Sequence, residues 1–337
     1  MLVAAATMLF GAAAAEENIE NKYDGYYLDW HDEFEGDRLN EELWQVETGY
    51  KRNNELQYYS EDNVSIEDSM LILEGRREDK NGFAYTSGSI NTKGKKTYSE
   101  GILEVRAKLP KGKGLLPAIW SCGYAGTDEE REKYPRSWPY RGEIDIMEML
   151  GGEDDRVYAN FHWANLPESD KFDINDGDKR YILPEGETFN DDFHIFALEW
   201  TDKELIWKVD GHEYCSMPIT DDKPFLRDLG YDLRLNLAIG GDWPGAPDEN
   251  TEFPCRYIID WVRYYKPYED TDSSEKPDGY GDFEAVWRPD TNTVMFASNG
   301  IQTEVSVEAS EVYINGYDVY NDTLMKFVGS VMTAAAN

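Results

Sequence analysis

The chain has 337 residues, of which 68 are acidic and 33 are basic, so its formal net charge is -35 at pH 7. A surface this acidic repels nucleic-acid phosphates and anionic lipids, which excludes a nucleic acid or a membrane as partner and disfavours a polyanionic polysaccharide. A neutral partner fits the charge, and the 10 Trp, 23 Tyr and 13 Phe residues supply rings that either stack on sugars or fill a β-rich core.

The first fifteen residues form an apolar segment. The segment MLVAAATMLFGAAAA is too short to span a bilayer, and its small residues before Glu16 are similar to a cleavage site. We interpret residues 1–15 as a truncated signal peptide, followed by an N-terminal tail over residues 16–26, and we expect a secreted protein. Because the positively charged start of a signal is missing, an internal start or a disordered tail is the alternative.

The chain contains three cysteines, Cys122, Cys215 and Cys255. They are too few and too scattered for a metal cluster or a disulfide framework. One disulfide and one free thiol remain compatible with export from the cell.

Alternation of apolar and polar residues dominates the chain from Tyr27 to about Lys266 and predicts strands with one buried face. Within Lys203–Ser216, the pair Asp210-Gly211 predicts a tight hairpin turn. Similar alternation marks further segments: Gly101–Leu109, Val157–Trp163, Phe193–Trp200, Leu233–Ile239 and Ile258–Tyr265. Many short strands separated by turn residues predict an all-β, antiparallel sandwich.

Three acids, Glu143, Asp145 and Glu148, lie within the short segment GEIDIMEML. On a helix their side chains would scatter, because five residues rotate Glu148 about 140° away from Glu143. On a strand, Glu143 and Asp145 share one face, but alternation turns Glu148 to the other. A β-bulge between Asp145 and Glu148 would return Glu148 to the first face. We therefore predict a bulged strand that presents three carboxylates to a cleft.

The spacing of the two glutamates predicts a reaction type. Four effective strand steps separate their Cα atoms by about 13 Å, and inward-leaning side chains leave about 5 Å between the carboxyl groups. That gap is typical of a retaining glycosidase, whereas an inverting enzyme needs roughly 6.5–9.5 Å. Crowding raises at least one pKa, so we assign Glu143 as nucleophile, Glu148 as protonated acid/base and Asp145 as their proton-sharing neighbour. The alternatives are a solvated acidic edge strand or an oxygen-ligand site for a hard cation.

The alternating pattern ends near Lys266. Residues 267–281, PYEDTDSSEKPDGYG, are acidic and rich in turn residues, as expected of a linker. Residues 282–337 contain strand-like stretches and form a short C-terminal segment of unknown fold, to which we assign no activity. We expect residues 27–266 to form the catalytic β-sandwich domain.

The hexapeptide EIDIME, preceded by Trp138-Pro139 and Arg141-Gly142, resembles the signature of glycoside hydrolase family 16 in its bulged, laminarinase-type form. The resemblance covers about Tyr27 to Lys266. Further segments resemble family segments in order along the chain: WHDEF from Trp30, NNELQYY from Asn53, EVRAKLP from Glu104, PAIW from Pro117, NLAIGG from Asn236, WP from Trp243 and IDWVR from Ile259.

This resemblance implies a jelly-roll β-sandwich of two curved antiparallel sheets with a concave substrate cleft. It also implies endo-acting hydrolysis of β-linked glucans with retention of configuration, and the same roles for Glu143, Asp145 and Glu148. The bulged motif is typical of enzymes acting on β-1,3-glucans, so we expect a monomer that cleaves a neutral, laminarin-like polysaccharide. The alternatives are a β-1,3-1,4-glucanase (lichenase), a broad β-1,3(4)-glucanase, an agarase or carrageenase, and a non-catalytic carbohydrate-binding sandwich.

The resemblance implies a set of substrate-binding residues: Asn53, Arg76, Trp120, Trp138, His162, Asn236 and Trp243. Trp138 and Trp243 are the candidate stacking platforms, although large aromatic residues also fill cores. Asn53 and Asn236 are candidate partners of sugar hydroxyls, while Arg76 and His162 are candidate cleft residues, and a lone histidine is as often structural. Family members commonly carry Trp where this chain has Leu116, so we expect a weaker or remodelled flanking subsite.

Many family members hold a calcium ion on the convex side of the sandwich, far from the cleft. The matching positions here are Glu33, the main-chain carbonyl of Gly75, and Asp260. Oxygen ligands from an early and a late strand would tie the chain ends together and stabilise the folded state. The alternative is that Glu33 and Asp260 are ordinary solvated carboxylates. We expect a structural calcium ion and no organic cofactor.

Overall fold

The computed structural model of the chain describes residues 19, 22–23, 25–164, 172–173 and 179–268, together with the strands at 284–288, 293–298 and 301–306. The chain divides into two compact units, of which the first ends at Tyr268 and the second begins at Glu269. The strands, in chain order, are β1 (Tyr26–Asp32), β2 (Gln45–Val46), β3 (Gln57–Tyr59), β4 (Val64–Glu67), β5 (Met70–Gly75), β6 (Tyr85–Ser87), β7 (Ser89–Asn91), β8 (Gly101–Lys108), β9 (Leu115–Tyr124), β10 (Glu143–Glu148), β11 (Arg156–Trp163), β12 (Phe172–Asp173), β13 (Arg180–Ile182), β14 (His194–Trp200), β15 (Glu204–Val209), β16 (His212–Pro218), β17 (Gly230–Ile239), β18 (Cys255–Pro267), β19 (Glu284–Arg288), β20 (Thr293–Ser298) and β21 (Ile301–Ser306). Two short helices are α1 (Asp128–Lys133) and α2 (Phe225–Asp228), and a single 3-10 turn covers Glu61–Asn63.

Two large antiparallel sheets build the first unit. The first sheet has the order β16-β15-β14-β8-β18-β5-β4, with β1 paired to β18. The second sheet has the order β12-β11-β10-β9-β17-β7-β2, with β13 paired to β11, and β3 and β6 form a separate parallel pair. Buried side chains from both sheets form one hydrophobic cluster. The predicted all-β, antiparallel sandwich is therefore confirmed.

The alternation seen in the sequence is what buries this core. In β8, the side chains of Leu103, Val105 and Ala107 share the inner face, and each is at most 1% exposed. The hairpin of β15 and β16 turns at Asp210 and Gly211, which both have positive φ, of 49° and 79°. The predicted Asp-Gly hairpin is therefore present, because this type of turn needs two residues in the left-handed region.

Two residues of the predicted N-terminal tail lie against the outer face of the first sheet. Lys22 Nζ donates to both carboxylate oxygens of Glu104, at 3.1 and 2.9 Å, and the Tyr23 hydroxyl donates to one of them at 2.6 Å. These contacts cover Glu104 so well that it is only 3% exposed. The predicted signal peptide, residues 1–15, lies outside the described residues.

The second unit contains β19, β20 and β21, which form a three-stranded antiparallel sheet. Most of the predicted linker, from residue 269 to 281, and the remainder of residues 282–337 lie outside the described residues. Among the helices that the structure describes, none has the length and apolar character needed to cross a membrane.

Candidate active site

Strand β10, which carries the three acids, lies inside the second sheet between β9 and β11. Against β9, Asp145 pairs with Trp120 and Glu148 pairs with Ala118, so three steps along β10 oppose two steps along β9. The register against β11 shifts over the same stretch. The predicted bulge between Asp145 and Glu148 is therefore present.

The bulge follows from two apolar neighbours in the sequence, Ile146 and Met147. They are 2% and 0% exposed, so both point into the core. Successive residues of a regular strand point to opposite faces, and burying both requires one extra residue in the strand. Burial of a side chain of this size contributes about 1.5–3 kcal/mol, which favours the irregular backbone. Beyond the bulge, Glu148 returns to the face of Glu143 and Asp145, and all three acids line one cavity.

Glu143 is surrounded by polar groups. Its Oε1 lies 3.8 Å from His162 Nε2, and its Oε2 accepts a hydrogen bond from the thiol of Cys122 at 3.7 Å. Burial, followed by repulsion from Asp145, raises the pKa of Glu143 from its usual 4.5 to about 7. The sequence predicts a raised pKa for at least one of the crowded acids, and Glu143 has one. The assignment of Glu148 as the protonated acid/base stays a prediction.

Asp145 is 4% exposed, and its Oδ2 has no hydrogen-bond donor among the described residues. His162 Nε2 lies 3.1 Å from this oxygen, an ion pair when the imidazole is protonated, and 3.0 Å from the side-chain nitrogen of Asn160. The proton sharing between Asp145 and Glu143 stays a prediction.

A cavity of about 480 Å³ opens over the acids. Four of the predicted binding residues line it: Asn53, Trp120, Trp138 and Asn236. Trp120 is only 9% exposed and donates its indole N–H to Asn236 Oδ1 at 2.6 Å. Asn236 in turn donates to the hydroxyl of Tyr59 at 3.1 Å. Trp120 therefore forms part of the cavity wall, and its indole N–H is fixed by Asn236. The side chain of Asn236 is already hydrogen-bonded to both Trp120 and Tyr59.

Two tryptophans stand at opposite ends of β10. Trp138 lies 6.5 Å from the ring of His162, which pairs with the start of the strand. Trp243 packs edge to face on Tyr158, with ring centroids 5.3 Å apart, and Tyr158 pairs with the end of the strand. Both indoles are 48% exposed, so neither is a core residue. Trp138 lines the cavity, whereas Trp243 stands outside it.

Arg76, which the sequence predicts to be a cleft residue, does not line the cavity over the acids. Arg76 follows β5 of the first sheet, and its Nε donates to Glu74 at 2.6 Å. Its main-chain N–H donates to the carbonyl of Thr86, and Arg76 is not among the residues lining the cavity. The ion pair with Glu74 joins the guanidinium group to the first sheet, whereas the three acids belong to the second sheet.

The residues predicted to bind calcium do not fit that ion. Glu33 forms a two-pronged ion pair with Arg263, at 2.9 and 3.0 Å, and Asp260 is paired with Arg106. Gly75 pairs with Cys255 on β18, five residues before Asp260, which separates the Gly75 carbonyl from that carboxylate by about 15 Å. Arginines already neutralise both carboxylates, so we derive no role for calcium.

Within the part of the chain that the structure describes, one group of side chains has metal-ligand spacing. Glu143, Asp145 and His162 each offer an atom within 4.8 Å of the others. The hard-cation alternative for the acidic strand thus concerns the same atoms as the catalytic one. All three cysteines of the chain are free thiols, so the disulfide that the sequence allowed is not formed.

Sequence reasoning missed several polar residues that line the cavity, among them Arg52, Glu55, Cys122 and Arg234. Alternation along β17 puts Arg234 on the same face as Asn236, so its position could have been predicted. Arg52 and Glu55 lie in a loop, where no alternation predicts a direction. Burial raises the pKa of Glu55, which is 6% exposed.

Comparison with known proteins places this geometry in a family. Residues 47–263 match the model of glycosyl hydrolases family 16. The chain is similar to a beta-glucanase of Rhodothermus marinus, with 34% identity over 275 residues that cover 77% of this chain and 92% of that protein.

Solved structures show the same likeness. An endo-beta-1,3-glucanase from Pyrococcus furiosus superimposes with a TM-score of 0.62 at 38% identity, covering 72% of this chain and 94% of that chain. The laminarinase catalytic domain from Thermotoga maritima gives a TM-score of 0.62 at 37% identity, covering 73% of this chain and 100% of that chain. These matches confirm the predicted jelly-roll sandwich and the prediction of a glycoside hydrolase. The chain belongs to glycosyl hydrolase family 16.

Proposed function

We propose that the protein is a secreted enzyme that hydrolyses internal β-1,3 linkages of a neutral glucan with retention of configuration. The bulge of β10 is the observation that carries this proposal. Glu143 pairs with Cys122 and Glu148 with Ala118, four residues apart on β9, which corresponds to about 13 Å between the two glutamate Cα atoms. Side chains that lean toward each other then leave about 5 Å between carboxyl groups, the spacing of a retaining enzyme.

The reaction takes two displacements. In the first, the Glu143 carboxylate bonds to the anomeric carbon while Glu148 gives a proton to the departing glycosidic oxygen. In the second, Glu148 takes a proton from water, whose oxygen bonds to the anomeric carbon and releases Glu143. Asp145 accepts the proton that Glu143 must lose before it attacks.

The charge of the chain and the names of its relatives both favour a neutral β-1,3-glucan as substrate. A net charge of -35 opposes binding of sulfated polymers, and the two solved relatives are described as an endo-beta-1,3-glucanase and a laminarinase. A broad β-1,3(4)-glucanase is the second candidate. It is favoured by Leu116, which lines the cavity without offering the flat ring that would select a sugar geometry.

Initial rates on laminarin, mixed-linkage β-glucan and agarose test the substrate assignment. We expect laminarin to be cleaved fastest, with internal cuts that shorten the polymer before small sugars accumulate. Equal rates on mixed-linkage glucan would favour the broad enzyme, and preference for agarose would reject a glucan substrate. Binding of laminarin without release of reducing ends would favour the non-catalytic alternative.

Proton NMR of the first product tests the stereochemistry. A retaining enzyme releases the β-anomer first, and a first-formed α-anomer would exclude the double displacement. In addition, Glu143→Ser should lose at least roughly a thousandfold in kcat while staying folded, and added azide should then yield a glycosyl azide. Unchanged laminarin hydrolysis by this variant would remove Glu143 from the mechanism.

Secretion is part of the proposal and rests on the apolar segment 1–15. N-terminal sequencing of protein recovered from outside the producing cells tests it. A start near residue 16 is expected, and recovery of the protein only inside the cells would contradict the proposal.

A further inference from the structure

Arg52, in the loop before β3, is one of the arginines that line the cavity. The loop is fixed at several points. Asn53 and Asn54 both adopt positive φ, of 57° and 54°, and the main-chain N–H of Asp242 donates to the carbonyl of Asn53 at 3.0 Å. The side chain of Asn54 also donates to the carboxylate of Asp242, at 2.9 Å. The backbone that carries Arg52 is therefore held in one conformation.

Arg52 has more hydrogen-bond donors than the protein uses. A guanidinium group carries five N–H donors. Among the described residues, Arg52 donates one hydrogen bond from its side chain, from Nη2 to Glu47 Oε2 at 3.3 Å. The side chain is 25% exposed and lines the cavity, so its remaining donors are available to a ligand there.

The guanidinium group of Arg52 lies over the ring of Trp120. Arg52 Cζ lies 4.9 Å from the ring centroid, and Arg234 Cζ lies 4.7 Å from it. Such cation–π contacts stabilise each arginine over the indole. Arg234 differs from Arg52 because its Nε and Nη2 are both directed to Asp232, at 2.7 and 3.4 Å. Arg52 therefore uses fewer of its side-chain donors within the protein than Arg234 does.

Carboxylates surround the two arginines beside Trp120. Glu47 pairs with Arg52 and Asp232 pairs with Arg234, and Glu55 also lines the cavity. Carboxylates this close repel an anionic ligand, so the remaining donors of Arg52 favour hydrogen bonding to neutral hydroxyl groups. Since Trp120 pairs with Asp145 across the strands, this region lies on the β9 side of the acids.

We propose that Arg52 is a substrate-binding residue, whose guanidinium fork donates hydrogen bonds to the hydroxyl groups of one sugar unit of a neutral glucan beside Asp145. This inference rests on the proposed function. Arg52, and not Trp120, would contact the sugar here, because the ring of Trp120 is 9% exposed and lies beneath Arg52 and Arg234.

The test measures binding without turnover. In a Glu143→Gln background, titration calorimetry with a β-1,3-linked glucose hexasaccharide compares the parent, Arg52→Met and Arg52→Lys. We expect Arg52→Met to weaken binding roughly 10- to 100-fold, because hydrogen bonds from a charged donor are lost. Arg52→Lys keeps the charge but not the fork, so its affinity should fall between the two. Arg256→Met, which removes a half-exposed arginine of the first sheet, serves as control and should bind like the parent.

The outcomes separate the two proposals. Hydrolysis of laminarin by the unmodified protein, together with equal affinities for Arg52→Met, Arg52→Lys and the parent, would overturn the role of Arg52 alone. If the unmodified protein does not hydrolyse laminarin and the Glu143→Gln parent does not bind the hexasaccharide, both the proposed function and this inference are overturned. The same titrations are repeated with sulfated laminarin as ligand. If Arg52→Met loses affinity for sulfated laminarin but not for the hexasaccharide, the assignment to a neutral sugar is overturned. If Arg52→Met does not fold, the comparison of Arg52→Lys with the parent decides.

Discussion

Trp207 of the first sheet donates its indole N–H to the main-chain carbonyl of Asp145 in the second sheet, at 2.9 Å. Trp207 is fully buried, so this hydrogen bond crosses the core of the sandwich and reaches the residue at which the bulge begins. A bulge disrupts the regular ladder, and a buried carbonyl there needs another donor. Trp207 supplies that donor and thereby fixes the backbone that carries the three acids.

We expect Trp207→Phe to lower the free energy of unfolding by about 1–3 kcal/mol, because the carbonyl of Asp145 loses its partner. The turnover number should fall about tenfold as the bulge loosens. Guanidinium denaturation and laminarin kinetics measure the two effects. Trp200→Phe is the matched control, since Trp200 is 1% exposed and its indole N–H has no acceptor among the described residues. Equal effects in both variants would show that ring volume, and not the hydrogen bond, matters.

Glu143 should couple activity to pH. Its pKa is raised to about 7, mainly by burial and then by Asp145, and the nucleophilic attack that we propose for Glu143 requires its ionised form. On the acidic side of this pKa, kcat/KM should therefore fall about tenfold per pH unit. A pH profile of kcat/KM on laminarin measures this, and a rate that stays constant down to pH 5 would contradict it.

The same group should couple stability to pH. The folded protein holds the proton of Glu143 more tightly than the unfolded chain does, so the free energy of unfolding should decrease as pH rises from about 4.5 to about 7. Glu143→Gln cannot titrate, and its decrease over this window should be smaller. Urea denaturation of both proteins at several pH values makes the comparison. Parallel curves would show that the pKa of Glu143 is the same in both states.

Deletion of Met147 tests the geometry of β10. Without this residue, four real strand steps separate the two glutamates, and simple alternation keeps Glu148 on the face of Glu143. We expect the deletion variant to retain at least about 1% of kcat/KM, with an unfolding free energy lower by about 2–5 kcal/mol because Met147 is fully buried. Met147→Ala is the control, because it keeps the bulge and loses similar packing. A folded but wholly inactive deletion variant would argue against this account of the bulge.

Lys22 should contribute to stability through Glu104. The lysine is the cationic partner of a carboxylate that is 3% exposed, and its own side chain is 20% exposed. Lys22→Met should lower the unfolding free energy by about 1–2 kcal/mol, and adding Glu104→Gln should restore part of the loss. Chemical denaturation of the two single variants and the double variant gives the coupling. Strictly additive effects would mean that the ion pair contributes nothing.

The geometry of β10 could be predicted because it is local. Alternation alone puts Glu143 and Asp145 on one face, and the predicted bulge, at which Ile146 and Met147 are both buried, returns Glu148 to that face. The side-chain direction of Arg76 could not be predicted, for a related reason. Alternation has no meaning beyond the last residue of β5, and the direction of the side chain there is set by Glu74.

Long-range ion pairs account for the other differences. Glu33 is separated from Arg263 by 230 residues in the chain, and Asp260 is separated from Arg106 by 154. No sequence pattern indicates which arginine meets which carboxylate, so two residues expected to bind calcium are instead paired with arginines. Lys22, expected in a tail, reaches Glu104 in the same way.

By itself, the sequence predicted which residues alternate into the core and, with a bulge in β10, which acids share the face toward the cavity, because side-chain direction along a strand depends on near neighbours. The tertiary structure alone decided that Trp207 braces the bulge and that Arg52 lies over Trp120. Those contacts join residues that are far apart in the chain. They depend on the order of the strands and on the paths of the loops, which residue spacing does not encode.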